Sequence, residues 1–372
     1  VTPPVPSNDR GQVSFSGPSI DGLVATLLTS LRAVAPEDTV ARPLGIELWG
    51  DRMAATIYGP DQMPPELFAD LAAGLLASDD PDARPALAAL AQTLSWREAK
   101  PLRRAHADHR TRVGPDDGSD LGIGRATPTR AVAISDPCGD GVTLLVDLDQ
   151  PGSPHTVGVY VDHNLAGLAT DLLVGPPWAE LDATGVHREV SGALALDVTL
   201  AEARARCEAA LRSSDHATHA PVSPDFDSTR ALVERRLDLL PTGGRVSPPE
   251  RLEEGELDAL VADFLAAPEG ADLTAAEQDE AVWLLELWLD HATTETWGGP
   301  LRISPLLVEQ FCVDWYPQSV GADAATVESA PVVLAAWVHY ASRVTGRDDE
   351  GRGDALHAVR EWAPHLPGPG EH

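Results

Sequence analysis

The sequence predicts an α+β protein in which an antiparallel sheet with packed helices precedes an all-α region. Three observations lead to this. Runs rich in Val, Ile, Leu and Thr at about 130–136, 142–149 and 155–162 are separated by the turn formers Asp-Pro-Cys-Gly-Asp-Gly and Gln-Pro-Gly-Ser-Pro, the pattern of a three-stranded meander. The segments before it are mainly of helical period, and the apolar segments after about residue 229 all are.

In chain order, SIDGLVATLLTSLRAV (19–34) places Ile20, Leu23, Val24, Leu27, Leu28 and Leu31 on one helical face. Leu44–Trp49 and Met53–Tyr58 read as two short strands around a Gly50-Asp51 turn. Helices are expected over 64–77 and 82–94, with Pro81 in the first turn of the second. After the meander, Leu165, Leu168, Leu172 and Leu173 share a helical stripe, so a helix is expected over 164–174, capped by Asp162 or Asn164. A strand or turn through 186–197 and a helix near 200–213 follow.

The polar, Pro-containing stretch 213–228 reads as a linker. The expected organisation is a disordered N-terminus (1–12), an α+β domain (13–212) with its meander at 130–162, that linker, an α-helical domain (229–365) and a disordered tail (366–372). In the helical domain, Ser304-Pro305 forms an N-cap with Pro at the first position. Another helix starts near Ser329 with Pro331 in its first turn and ends at Gly346. The tryptophans there recur at helical spacing, the pattern of a bundle core.

Composition narrows the function classes. A net charge of −31 disfavours nucleic acid as a partner, because most of the surface repels phosphate. No apolar run reaches the roughly 20 residues of a membrane span. The first dozen residues carry no signal-peptide pattern, and Cys138, Cys207 and Cys312 form no CxxC pair, so a reducing cytoplasm is the expected compartment. The basic cluster of the chain is Arg97, Lys100, Arg103, Arg104, Arg110 and Arg112, either a solvated face pairing with nearby carboxylates or a docking patch for an acidic partner or phosphate ligand. His106 and His109 lie one turn apart, without a third ligand nearby.

The meander carries the candidate chemistry. Strands one and three run parallel to each other, so Asp136 and Asp162 leave the sheet at one end, about 10 Å apart across two strand spacings. Asp149 emerges at the opposite end, on the order of 20 Å away. Asp136, Asp162 and His163, with Asn164, are therefore the candidate ligands of a divalent metal ion. The competing reading gives Asp162 and Asn164 a capping role and Asp136 a turn-shaping one. Cys138 stands between two Asp, which disfavours its thiolate. No GxSxG elbow, Walker loop, complete dinucleotide fingerprint, HExxH or EF-hand loop occurs.

The segments VGVYVDHNLAGLATDLLVG, SPLLVEQFCVDWYPQSV and VVLAAWVHYASRVTG together resemble a set of hypothetical bacterial proteins without assigned function, over about 60–175 and 300–345. The resemblance implies no activity and gives no residue a role. The sequence thus leads first to a non-catalytic cytoplasmic binding or regulatory protein, engaging a protein partner through the helical domain or through Arg97, Lys100, Arg103 and Arg104. The alternative is a metal-dependent hydrolase centred on Asp136, Asp162 and His163, whose ion activates water.

Overall fold

A computed structural model describes residues 19–34, 42–57, 65–93, 100–113, 121–185, 193–246, 254–319 and 324–366. The chain divides into two compact units, 1–124 and 125–372.

The first unit contains five described helices: α1 (Ile20–Val34), α2 (Arg42–Ile57), α3 (Pro65–Ala77), α4 (Ala83–Thr93) and α5 (Lys100–Val113). Their shared core includes Leu28, Leu31, Trp49, Phe68, Leu75, Leu87, Leu90 and Leu102. Helix α4 is buried on nearly every side, which its run of alanines permits. Over its described residues, 44–57, the hairpin expected over 44–58 is instead part of the continuous helix α2; residue 58 lies outside the described residues. Ile46, Trp49 and Met53 follow helical spacing along it, and Gly50 serves a close approach where a turn was expected. A β-carbon at Gly50 would lie 2.9 Å from Thr93 Oγ1 and 3.2 Å from the Ala89 side chain, so glycine lets α2 and α4 touch. Asp51, the other expected turn residue, is buried and accepts from the Thr93 hydroxyl at 3.1 Å.

The second unit is built on an antiparallel sheet ordered β4-β3-β2-β1-β5. Its strands are β1 (Thr127–Ser135), β2 (Gly141–Asp149), β3 (His155–Asp162), β4 (Leu168–Gly175) and β5 (Leu194–Val198). One face, with Ala131, Leu144, Val146, Val157, Val159 and Leu172, packs on α7 (Leu200–His216) and α8 (Phe226–Leu237). On the other, Val132 and Leu145 meet Trp178 of α6 (Trp178–Thr184).

The meander stands as expected, but the helix expected over 164–174 does not form. One 3₁₀ turn, His163–Leu165, ends at Ala166 and Gly167, both left-handed at φ 52° and 76°. That pair reverses the chain, and Leu168–Gly175 returns as β4 against β3. Its helical leucine spacing is overridden by pairing, and Asp171 lies on a strand opposite Tyr160. Of the strand or turn expected through 186–197, the described part is strand β5 from Leu194; 186–192 lie outside the described residues.

The stretch 213–228 does not separate two bodies. Helix α7 continues through His216 and α8 begins at Phe226. Ala203, Cys207 and Leu211 of α7 share one core with Phe226, Val233 and Leu237 of α8. Between the two helices, Ser223 N–H donates to Thr170 O of β4 at 2.9 Å, so the connection lies along that edge of the sheet.

The remainder is helical: α9 (Glu254–Ala266), α10 (Pro268–Ala271), α11 (Ala275–Asp290), α12 (Pro305–Glu309), α13 (Tyr316–Ser319), α14 (Ala324–Thr345) and α15 (Asp349–Trp362). Trp288, Phe264, Phe311, Tyr316 and Trp337 are in its core. Ser304 caps α12, accepting from Leu307 N–H at 2.9 Å. Helix α14 starts earlier than expected, which puts Pro331 inside it, and Gly346 follows its end at φ 68°. Two π-helical segments, His291–Glu295 and Gln310–Trp315, extend α11 and α12. Residues 1–12 and 367–372 lie outside the described residues, whereas Leu366, where the tail was expected to begin, is buried in the helical core.

Candidate functional site

The register pairs Gly141 with Asp162, which brings the β1–β2 turn and the β3–β4 turn to the same end of the sheet. In the first turn Asp136 organises the backbone: Oδ1 accepts from Cys138 N–H and Oδ2 from Gly141 N–H, both at 2.7 Å. Gly139 takes φ 73° there. In the second turn, Asp162 Oδ1 accepts from Asn164 N–H at 2.8 Å and caps the 3₁₀ turn. Three bonds join the turns: His163 N–H to Asp140 O at 2.8 Å, Asn164 Nδ2 to Asp140 Oδ1 at 3.0 Å, and His163 Nδ1 to Gly139 O at 2.9 Å.

The helical part clamps both turns. Arg302, nearly buried, donates from Nη1 to Asp140 Oδ1 at 2.8 Å. Arg347 Nη2 reaches Cys138 O at 3.3 Å while its Nη1 donates to Ile303 O. Trp297 N–H donates to His163 O at 2.5 Å.

Electrostatics follow from this burial. Desolvation pushes the Asp162 carboxyl up, with the Asp140 charge adding to it against the backbone N–H groups that favour ionisation. Burial holds His163 below the ordinary imidazole range, and the charges of Arg302 and Arg206 act the same way. Burial also raises the Cys138 thiol. It pushes Tyr160 up to about 12. The Nδ1 partner of His163 is a carbonyl oxygen, which only accepts, so the proton of neutral His163 sits on Nδ1 and Nε2 carries the lone pair.

Among the described residues, Asp136, Cys138 and Asp140 place potential ligand atoms within 4.8 Å of one another. Asp136 belongs to this metal-ligand group; Asp162 and His163, grouped with it from the sequence, do not. Two features oppose an ion here: Asp140 already holds the Arg302 guanidinium, and the raised thiol of Cys138 favours its protonated, non-ligating form. Of the basic cluster, Arg97 lies outside the described residues. Lys100 and Arg104 are exposed on α5 and Arg103 is half-buried. Arg104 pairs with Asp108 at 3.7 Å in the open, an arrangement that contributes little.

His163 has a second environment that the sequence did not signal. With Val142, Val161, Glu202, Arg206, Arg245, Val246 and Trp297 it lines a cavity of about 270 Å³. The Trp297 indole lies over Gly167, where any side chain would overlap it, and its ring centroid is 6.2 Å from that of His163. Arg206 and Glu202, one turn apart on α7, approach to 3.6 Å. These residues span more than a hundred positions of sequence, and no local motif links them.

Comparison with protein-family models, with curated protein sequences and with solved structures returns no match for the chain.

Proposed function

We propose that the chain is a non-catalytic binding or regulatory protein of the cytoplasm that acts through protein contacts, with strand β5 as the contact edge. The observation that carries this reading is the difference between the two sheet edges. On β4 the connection between α7 and α8 lies against the edge, through Ser223 N–H and Thr170 O. On β5, Leu194 and Leu196 are each 62% exposed. Paired opposite Ser135 and Ala133, they project to one face of the sheet. An apolar edge strand of this kind is a template for a further strand, with main-chain bonds giving affinity and alternate side chains giving specificity. The partner expected is an extended segment with apolar residues at alternate positions. The acidic surface of a chain of net charge −31 disfavours nucleic acid in the same role.

The test is affinity purification from native lysate with the wild type and with a Leu194→Glu/Leu196→Glu variant. The same protein should be recovered repeatedly with the wild type and lost with the variant, at an unchanged melting temperature. Repeated recovery of nothing, or equal recovery by both, overturns the reading.

A second reading, the metal-dependent hydrolase, rests on the grouping of Asp136, Cys138 and Asp140 alone, and there an ion would have to displace Arg302 from Asp140. Chelator-treated chain titrated with Mg²⁺, Mn²⁺, Zn²⁺ or Ca²⁺ distinguishes the two, since an ion at a hundred times its dissociation constant adds about 2.7 kcal/mol of stability. A rise in melting temperature that disappears in Asp136→Asn supports the ion; a flat response to all four removes it.

A further inference from the structure

We infer that the cavity beside His163 is a binding site for a compact aromatic monocarboxylate bearing a hydrogen-bond donor on its ring. No residue of β5 lines this cavity, so neither reading depends on the other. Small-molecule sites are concave and mostly apolar with a few convergent polar groups, commonly about 300–1,000 Å³. At about 270 Å³, this one falls just below that range and takes a single ring with short substituents.

Each property of the ligand follows from a lining group. Val142, Val161 and Val246 supply apolar wall, and Trp297 supplies a flat aromatic surface. Gly167, left-handed at φ 76° and without a side chain, is what allows the indole to lie where it does. The charges are two guanidinium groups, Arg206 and Arg245, against the one carboxylate of Glu202. These guanidinium and carboxylate groups sum to one net positive charge. Arg206 approaches Glu202 only to 3.6 Å, while Arg245 is exposed at the rim. One surplus cation matches a carboxylate better than a phosphate dianion, and Glu202 repels a second negative charge. The planar fork of arginine fits a carboxylate in two-point fashion. His163 contributes the remaining selectivity: Gly139 O fixes its proton on Nδ1, so Nε2 accepts, and the matching ligand group is an O–H or N–H.

The test is calorimetric titration of the full chain with 4-hydroxybenzoate, benzoate and inorganic phosphate, repeated with Arg245→Met and Arg206→Met. Saturable binding of 4-hydroxybenzoate is expected, several-fold tighter than benzoate, with no binding of phosphate. Arg245→Met, at an exposed position that leaves folding intact, should weaken it about tenfold, the loss of roughly 1.4 kcal/mol. Failure of both aromatic acids to bind at millimolar concentration overturns the assignment. So does wild-type affinity in both arginine variants, or phosphate binding that displaces the aromatic acid.

Discussion

Asp140 holds two parts of the second unit together through one carboxylate, accepting from Asn164 Nδ2 and from the nearly buried Arg302. Asp140→Asn removes the hydrogen-bonded counter-charge of that guanidinium, leaving only the more distant Asp136 and Asp162, and one-sided removals from a buried pair cost up to about 3–5 kcal/mol. Replacing both residues with apolar side chains, Asp140→Leu with Arg302→Met, should cost less, as urea unfolding of the two variants will measure. His291 gives a pH prediction of definite sign. It is buried against Phe311 and Trp315, at ring-centroid distances of 5.8 and 5.3 Å, and neither ring nitrogen has a hydrogen-bond partner among the described residues. Burial lowers its pKa to about 4. Below the ordinary value near 6.5 the unfolded chain takes up a proton that the folded chain refuses. Stability is therefore unaffected above that value and falls as pH drops toward 4, by about 3 kcal/mol in total. His291→Leu should lose this share of the acid sensitivity, read as the difference between the two proteins' unfolding free energies at neutral and acid pH.

Turns decide the elements around the site. Gly167 and Gly152 share nearly the same left-handed backbone, φ 76° and 72°, but only Gly167 faces a side chain, the Trp297 indole. Gly152→Ala should cost about 1–2 kcal/mol, the left-handed penalty alone. Gly167→Ala should cost more and should shift the tryptophan fluorescence; equal costs would remove the packing role assigned to Trp297. The meander was legible in the sequence because its alternation and its Asp-Pro and Pro-Gly turns agree. Strand β4 was not, because Leu165, Leu168 and Leu172 happen to keep helical spacing and only pairing with β3 settles the conflict. Helix α2 was misread for the converse reason: Gly50-Asp51 looks like turn chemistry, whereas Gly50 is there to let α4 approach. Of the site, the same-end placement of Asp136 and Asp162 followed from strand direction alone. Arg302, Arg347 and Trp297 could not follow, since side chains more than a hundred residues away meet the turns only through the tertiary fold.

At the scale of the molecule, the boundary expected at 213–228 and the one observed after Gly124 differ because polar, Pro-containing sequence marks a loop without saying what packs on either side. Helices α7 and α8 both belong to the sheet, and the connection between them lies along β4. That arrangement leaves β5 as the edge with the more exposed leucines, Leu194 and Leu196 at 62% against 39% for Leu173 on β4, and the proposed function rests on that difference. The most direct measurement is amide hydrogen exchange of the chain, free and with the partner recovered by affinity purification. Added protection concentrated in residues 194–198, with β4 unchanged, is the predicted result. Protection confined to other elements, with β5 exchanging as in the free chain, would contradict the account.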